Sequence, residues 1–333
     1  MDPLTQGVLG AAAGQLKSKR EHLLYGTVLG ALGGMAADLD ILIRSMTDPM
    51  LALTFHRHFT HSLFFIPIGG AICGIALYFL LGRRWQLTLP QTITWCVLGY
   101  ATHALLDGCT SYGTQLLWPL SNKRFSWDII AVVDFLFTVP LLVAVWLTLK
   151  TQSKYWLVGG LIWCCCYLSF GFIQHQRAVK IGQEIAQSRD HQGVIIEAKP
   201  SLGNLWVWKS VYEHDGLFYV DAVKPGISSE MIWLGDSIKK LDIARDLPWL
   251  DKNSQQYKDV LKFNWFSAGY TAIDPDNSNR IVDIRYSLLP QEINPLWGIE
   301  LSQQKPVNDH VTYYTQRDNP GQALQALINM VME

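Results

Sequence analysis

Long apolar runs fill the first half of the chain and vanish from the second. Four of them, Ser62–Leu81, Gln91–Asp107, Ile129–Leu149 and Tyr155–Ile173, are 17 to 21 residues long. At a rise of about 1.5 Å per residue they cover about 25–32 Å, close to the hydrocarbon thickness of a bilayer. Two weaker segments precede them. Leu4–Leu16 is too short to span comfortably, and Leu23–Ile43 is apolar but carries Gly26, Gly30, Gly33 and Gly34. The spacing Gly26-x-x-x-Gly30 permits close helix contact, which predicts a segment packed inside the bundle.

Beyond Ile173 the pattern changes. Residues 174–187 form a polar, helix-compatible stretch. Alternating runs then predict strands at Val194–Ala198, Leu205–Tyr212, Leu217–Val223, Lys262–Ala272 and Arg280–Leu288. The last two flank Asp274-Pro275-Asp276-Asn277-Ser278-Asn279, a turn signal for a hairpin, and Gly321–Met332 reads as a helix. The expected architecture is an α-helical multi-pass membrane domain over residues 1–173, with four clear spans plus the two N-terminal hydrophobic segments. A small soluble β-rich α+β domain follows over residues 174–333. No internal repeat or low-complexity tract is visible.

Composition agrees with this division. Charged residues make up 17% of the 333, against roughly 25% in an ordinary soluble domain. The formal net charge of −1 gives no reason to expect nucleic acid as a partner. Five of the six cysteines (Cys73, Cys96, Cys109, Cys164, Cys165, Cys166) lie in apolar runs, an arrangement that builds neither a disulfide framework nor a thiolate zinc site. Met1-Asp2-Pro3 is acidic, unlike the basic start of a cleavable signal peptide. If the segments alternate across the membrane, one face receives Lys17, Lys19, Arg20, Arg83, Arg84, Lys150 and Lys154. The other receives Arg44, Arg57, Lys123 and Arg124. The first face is then cytoplasmic, and everything after Ile173 is periplasmic.

Ionisable groups in or beside membrane spans are expensive, so their clustering is informative. Asp38 and Asp40 end the glycine-rich segment. His56-Arg57-His58-Phe59-Thr60-His61-Ser62 precedes the first long run. His103 and Asp107 stand four apart at the end of the next, on one helical face, and Asp128 and Asp134 open the third. Alternating topology carries all of them to one membrane face. Each has a plainer reading: a hydrogen-bonded His-x-x-x-Asp pair, a helix-end carboxylate facing water, an interfacial arginine, or a salt bridge of Asp134 with Arg57 or Arg124. Convergence of four segments on one plane favours a metal site. Its candidate ligands are Asp38, Asp40, His56, His61, His103, Asp107, Asp128 and Asp134. Imidazole and carboxylate without thiolate suit a catalytic divalent ion, with zinc ahead of manganese or iron. The number of carboxylates allows one ion or two.

Met1-Asp2-Pro3-Leu4-Thr5-Gln6, Ala37-Asp38-Leu39-Asp40, His56-Arg57-His58-Phe59-Thr60-His61-Ser62-Leu63 and His103-Ala104-Leu105-Leu106-Asp107 together resemble the YdjM/YbcI group of bacterial inner-membrane proteins. The resemblance covers roughly residues 1–150 and implies a membrane-bound metal-dependent hydrolase. More distantly, the order of aspartate, histidine and His-x-x-x-Asp is similar to the zinc phospholipase C and single-strand nuclease superfamily, whose members are helical phosphodiesterases with clustered zinc ions. Gln6 stands where many YdjM-like chains have a histidine, which puts a third metal in doubt.

The expectation is a hydrolase that uses metal-activated water at the membrane face, with Asp40, Arg57 and Asp107 as the catalytic candidates. Its substrate would be a phosphoester such as a membrane phospholipid, and Arg57 would steady the phosphate. Thr60 or Ser62 would orient ligands. The alternatives are a metal or solute transporter, against which the one-sided placement of polar groups argues, and an envelope scaffold or binding protein with a structural metal site.

Overall fold

Capping chemistry sets where the helices of the first half begin. Asp2 accepts a hydrogen bond from the Thr5 amide and Pro3 supplies a preformed first turn, so α1 runs Pro3–Lys17. Helix α2 is Leu23–Met35, and it tightens into a 3-10 segment, Ala36–Leu42. A short helix α3, Pro49–Phe55, a 3-10 turn, Phe59–His61, and α4, Ile66–Leu77, follow. Thr88 and Gln91 form a capping box that starts α5, Leu89–Cys109. Asp134 caps α6, Phe135–Thr151, and α7 extends over Tyr155–Ser188. This computed structural model describes residues 1–226, 229–317 and 319–333.

The chain divides into two units. The first comprises Met1–Ile43, Phe55–Phe172 and Leu202–Asn204, and the second Arg44–Thr54, Ile173–Ser201 and Leu205–Glu333. Glycine builds the centre of the first. A Cβ at Gly30 would strike the Gly10 carbonyl and the Gly14 backbone, and one at Gly99 would strike the Gly30 carbonyl. Helices α1, α2 and α5 therefore touch backbone to backbone, as the glycine spacing predicts.

The four predicted spans reduce to one or two by length and composition. Among the described residues α7 alone is long and apolar enough, and Pro49–His61 with Ile66–Gly82 passes only as a pair bent by 92°. Residues 62–65 are turns rather than helix, which shortens the first predicted span. Helix α5 has the length, but Thr92, His103 and Asp107 on its buried face lower its apolar character. Residues 129–134 remain outside α6 because Asp134 caps it, which leaves an apolar helix of 17 residues. The outer surfaces stay apolar all the same: Ile68, Ile72, Phe79, Phe135, Trp146 and Ile162 are all exposed.

The second unit holds two antiparallel sheets. The first is β1 Glu197–Pro200, β2 Trp208–His214, β3 Leu217–Pro225 and β4 Glu230–Lys239, paired in that order. The second is β5 Thr271–Asp274, β6 Asn277–Asp283, β7 Trp297–Glu300 and β8 Thr312–Thr315, also in sequence order. Val211, Phe218 and Val220 pack against Ala272, Val282 and Ile284. Helices α8 Ile243–Asp246, α9 Gln255–Phe266 and α10 Pro320–Met332 complete the unit.

One strand expectation fails in part, and β4, β7 and β8 lie outside every predicted strand. Residues 262–266 are helical: Ser254 caps α9, and Val260, Phe263 and Phe266 are buried at a spacing of three, a period the flanking alternation conceals. Strand β4 escapes prediction because its mixed polar and apolar residues are half-buried at most.

Candidate metal centre

The site residues of the first unit gather where its helices end and turn. The 3-10 segment after α2 has about three residues per turn, so Asp38 and Asp40 point about 120° apart. Asp38 is partly open, whereas Asp40 is buried. The turn before α4 brings in His61, and the last turns of α5 bring in His103 and Asp107. All three side chains are sealed from solvent.

Hydrogen bonds fix how the two imidazoles face. His103 Nδ1 lies 2.6 Å from the Gly34 carbonyl oxygen, which can only accept. The proton therefore sits on Nδ1, and Nε2 presents a lone pair. His61 Nδ1 lies 3.2 Å from Asp40 Oδ2 and 3.0 Å from Thr60 Oγ1, and the Thr60 hydroxyl itself donates to Asp40. Here too Nδ1 is the donor, in a carboxylate–histidine pair of the kind that orients metal ligands. The two Nε2 atoms stand 2.9 Å apart. Two acceptors at that distance repel unless a cation, either a proton or a metal ion, lies between them.

Two carboxylate oxygens complete the set. Asp38 Oδ1 is 3.5 Å from His61 Nε2 and 3.3 Å from His103 Nε2, and Asp107 Oδ2 is 3.4 and 3.7 Å from the same atoms. A tetrahedral ion with ligands at about 2.0–2.1 Å needs ligand–ligand edges of about 3.3–3.4 Å. The five separations of 2.9–3.7 Å bracket that edge. Asp107 Oδ2 is buried and has no hydrogen-bond partner among the described residues, although Arg57 Nε lies 3.1 Å away as an ion-pair partner, so it keeps lone-pair capacity for a cation beside the histidines. The residues present fit a metal ion.

Supporting groups hold this frame. Asp107 Oδ1 accepts from Gln6 Nε2 at 2.9 Å and from the α-amino group of Met1. Arg57, 4% exposed, places Nε 3.1 Å from Asp107 Oδ2, donates through Nη1 to Thr110 and lies over the Tyr112 ring. Its φ of +62° is held by its amide bonding Asp40 and its carbonyl accepting from Gln115. A non-glycine residue pinned in the left-handed region stores strain, and such strain clusters at functional sites.

The predicted ligands separate into three roles. Asp38, His61, His103 and Asp107 form one grouping, and Asp38, Asp40 and His56 a second that shares Asp38. Asp40 already receives the Arg57 amide, Thr60 Oγ1, His61 Nδ1 and His56 Nδ1 (2.9 Å from Oδ1). Asp128 and Asp134 lie outside both groupings. The Asp134 carboxylate accepts the Leu136 and Phe137 amides and the Tyr167 hydroxyl, so it serves as a helix cap. Asp128 pairs with Ser126, at 3.4 Å. Of the two hydroxyls expected to orient ligands, Thr60 bonds Asp40, while Ser62 bonds the Trp118 carbonyl instead.

Gly34 and Thr110 carry no sequence signal for their parts here, because each acts through a contact made only in the fold; Gln6 stands out in the sequence only where a resembling chain would have a histidine. A third grouping, Asp48, Asp259 and His310, lies in the second unit and was not predicted. Asp259 there is filled by His310 Nδ1, the Val311 amide and Gln255 Nε2.

A family model described as YdjM inner membrane protein matches residues 1–178. No curated protein and no solved structure gives a significant match.

Proposed function

We propose, since the chain belongs to the YdjM inner membrane protein family, that its helical unit is a metal-dependent hydrolase acting on phosphoesters at the membrane surface. The two bare Nε2 atoms of His61 and His103, 2.9 Å apart within a tetrahedral frame completed by Asp38 and Asp107, carry this reading. A divalent ion, zinc by ligand type, would supply Lewis acidity and lower the pKa of a water molecule.

The chain's own groups do the rest. Asp40 keeps the proton on His61 Nδ1 and so keeps Nε2 available. Gln6 holds Asp107 Oδ1, which leaves Oδ2 aimed at the site. Arg57 locks Asp107 and supplies the positive charge nearest to where phosphoryl oxygens would gather. Asp38, the partly open member, would hold the ion together with His61, His103 and Asp107, while His56 braces Asp40. The order of these residues, similar to that of zinc phospholipase C, supports phosphoester chemistry over acyl transfer.

The test is metal analysis by plasma mass spectrometry on detergent-purified protein, with hydrolysis of a panel of phosphodiesters and carboxyl esters. Wild type should carry near-stoichiometric metal and show chelator-sensitive phosphodiesterase activity. His103→Ala should lose both. Metal-free wild type would defeat the site, and activity confined to carboxyl esters would defeat the phosphoester assignment.

The cationic ends of the helices, with Lys17, Arg83, Arg84, Lys150 and Lys154, favour a cytoplasmic position for the end opposite the site. Alkaline phosphatase fused after Glu333 should therefore be active, and green fluorescent protein there should be dark. The reverse pattern would invert the orientation.

A further inference from the structure

A groove of about 480 Å³ runs along the helical unit between α2, α4 and α5, lined by Leu32, Leu39, Phe65, Ile72, Ala76 and Leu77 among others. Only two of its lining residues, Thr60 and Tyr100, bring a side-chain hydroxyl, and both hydroxyls are spent. Tyr100 donates to the Thr60 carbonyl at 2.7 Å and Thr60 to Asp40 at 2.9 Å. Nothing on these walls calls for a polar partner, so the groove gains only by burying hydrocarbon. Its depth comes from small side chains, since Ala36, Gly69, Cys73 and Ala76 also line it. It opens among exposed Leu39, Ile68 and Ile72, on a face too apolar to be left to water.

One end of this groove is lined by residues of the same elements that carry the metal centre. Ala36 and Leu39 belong to the 3-10 segment that carries Asp38 and Asp40, Thr60 adjoins His61, and Tyr100 lies one helical turn before His103. From Phe65 to Leu77 the α4 wall extends about 18 Å at 1.5 Å per residue. That is slightly more than one leaflet's share, about 15 Å, of the hydrocarbon core.

We propose that the groove seats one acyl chain of the substrate, so that the phosphoester presented to the centre belongs to a membrane lipid rather than to a soluble phosphodiester. This rests on the hydrolase reading and names its substrate class. The chain enters sideways from the bilayer, packs along α4, and its head group emerges beside Asp38, the partly open ligand. Binding energy from a remote chain then positions the reacting group.

Two measurements separate this inference from the reading beneath it. Full-length protein in phosphatidylcholine vesicles doped with a lipid bearing a diazirine on its acyl chain is photolysed and its peptides mapped. Labelling should concentrate at least five-fold on residues 36–39 and 65–77 over α6 and α7, and Ala76→Trp, which fills the groove from its exposed side, should abolish that excess. Uniform labelling of all lipid-facing helices, or an excess that survives Ala76→Trp, would overturn the groove. In detergent, wild type should hydrolyse a long-chain phosphodiester with a KM at least ten-fold below that of its short-chain homologue. Ala76→Trp should erase that ratio by raising the long-chain KM, with metal content unchanged. An equal KM for both chain lengths in wild type would refute chain recognition. Concentrated labelling in a protein that hydrolyses neither compound would support the lipid seat and retire the reaction.

Discussion

In the β-rich unit Arg285 grips Asp283 through two parallel hydrogen bonds of 2.9 and 2.7 Å, and Arg189 holds Asp221 the same way at 2.7 and 2.8 Å. Lys199 sits 3.0 Å from Glu197. Each of these charges meets its complement close by in the chain or on a neighbouring element. In the helical unit Asp38, Asp40 and Asp107 converge with His61 and His103, two ring nitrogens face each other, and a carboxylate oxygen is left without a hydrogen bond. A closed ion pair is structure, complete in itself. A convergent set with an unfilled centre is a site: Arg57 and the Met1 amino group offset part of the desolvation cost of Asp107, and a further cation between the histidines would recover more.

The sharpest way to break the helical side of that contrast is to separate the helices that deliver its ligands. Gly30→Leu would drive a side chain into the Gly10 carbonyl and the Gly14 backbone, neither of which can move aside. The overpacking should cost at least about 3 kcal/mol, and folded protein should not survive detergent extraction. Size-exclusion chromatography checks it, and a monodisperse Gly30→Leu peak would show that α1 and α2 do not pack this closely.

The β-rich side breaks differently. Arg285→Met would strand Asp283 in a sealed environment, which typically costs about 3–5 kcal/mol. The double variant Arg285→Met with Asp283→Leu should recover most of it, because an apolar pair of similar volume removes the desolvation cost. Circular dichroism in the β region against urea reads both. Equal losses in the single and double variants would mean that the pair supplies stability rather than closure.

At the metal site the gentlest cut removes a supporting hydrogen bond. Asp40→Asn keeps the shape but weakens the acceptor for His61 Nδ1, and metal affinity should fall about 10–100-fold with stoichiometry retained at saturation. Competition with a chromogenic chelator measures it. Unchanged affinity would detach Asp40 from the centre, and complete loss of metal would make it a direct ligand.

The sequence pointed to the residues that the fold draws together here, Asp38, Asp40, His56, His61, His103 and Asp107, and to the glycine contacts, because expensive residues near apolar runs and fixed glycine spacings are local signals. It also placed β1, β2, β3 and α10 within a few residues. It did not separate ligand from support. Asp134 and Asp38 look alike in sequence, and only the fold shows that Asp134 faces two amides and the Tyr167 hydroxyl. The count of spans failed for a similar reason: apolar runs say nothing of where Asp134 stops a helix or where residues 62–65 turn.

Lys209 tests whether closure in the β-rich unit is complete. Its ammonium nitrogen donates to Ser287 Oγ and to the Glu292 carbonyl, both at 2.8 Å, and both partners are neutral. Burial pulls its pKa down to about 7, although the Asp283 and Glu292 charges act to raise it. The unfolded chain keeps a lysine near pKa 10.4. Below about pH 7 both states carry the proton, and the fold bears the full cost of burying it. Between about 7 and 10.4 the unfolded state binds more protons, so this residue makes stability rise with pH, by at most about 1.4 kcal/mol per unit. Lys209→Met, which keeps the stem and removes the ammonium, should flatten that slope and leave the variant more stable than wild type at pH 6. Urea titrations of both proteins from pH 6 to 9 give the difference, and subtraction removes the tyrosines and other lysines that titrate alongside. Parallel profiles would mean that Lys209 stays charged in the fold, with Asp283 or Glu292 as a true counter-ion. The β-rich unit would then close every one of these charges by pairing, without neutralising any.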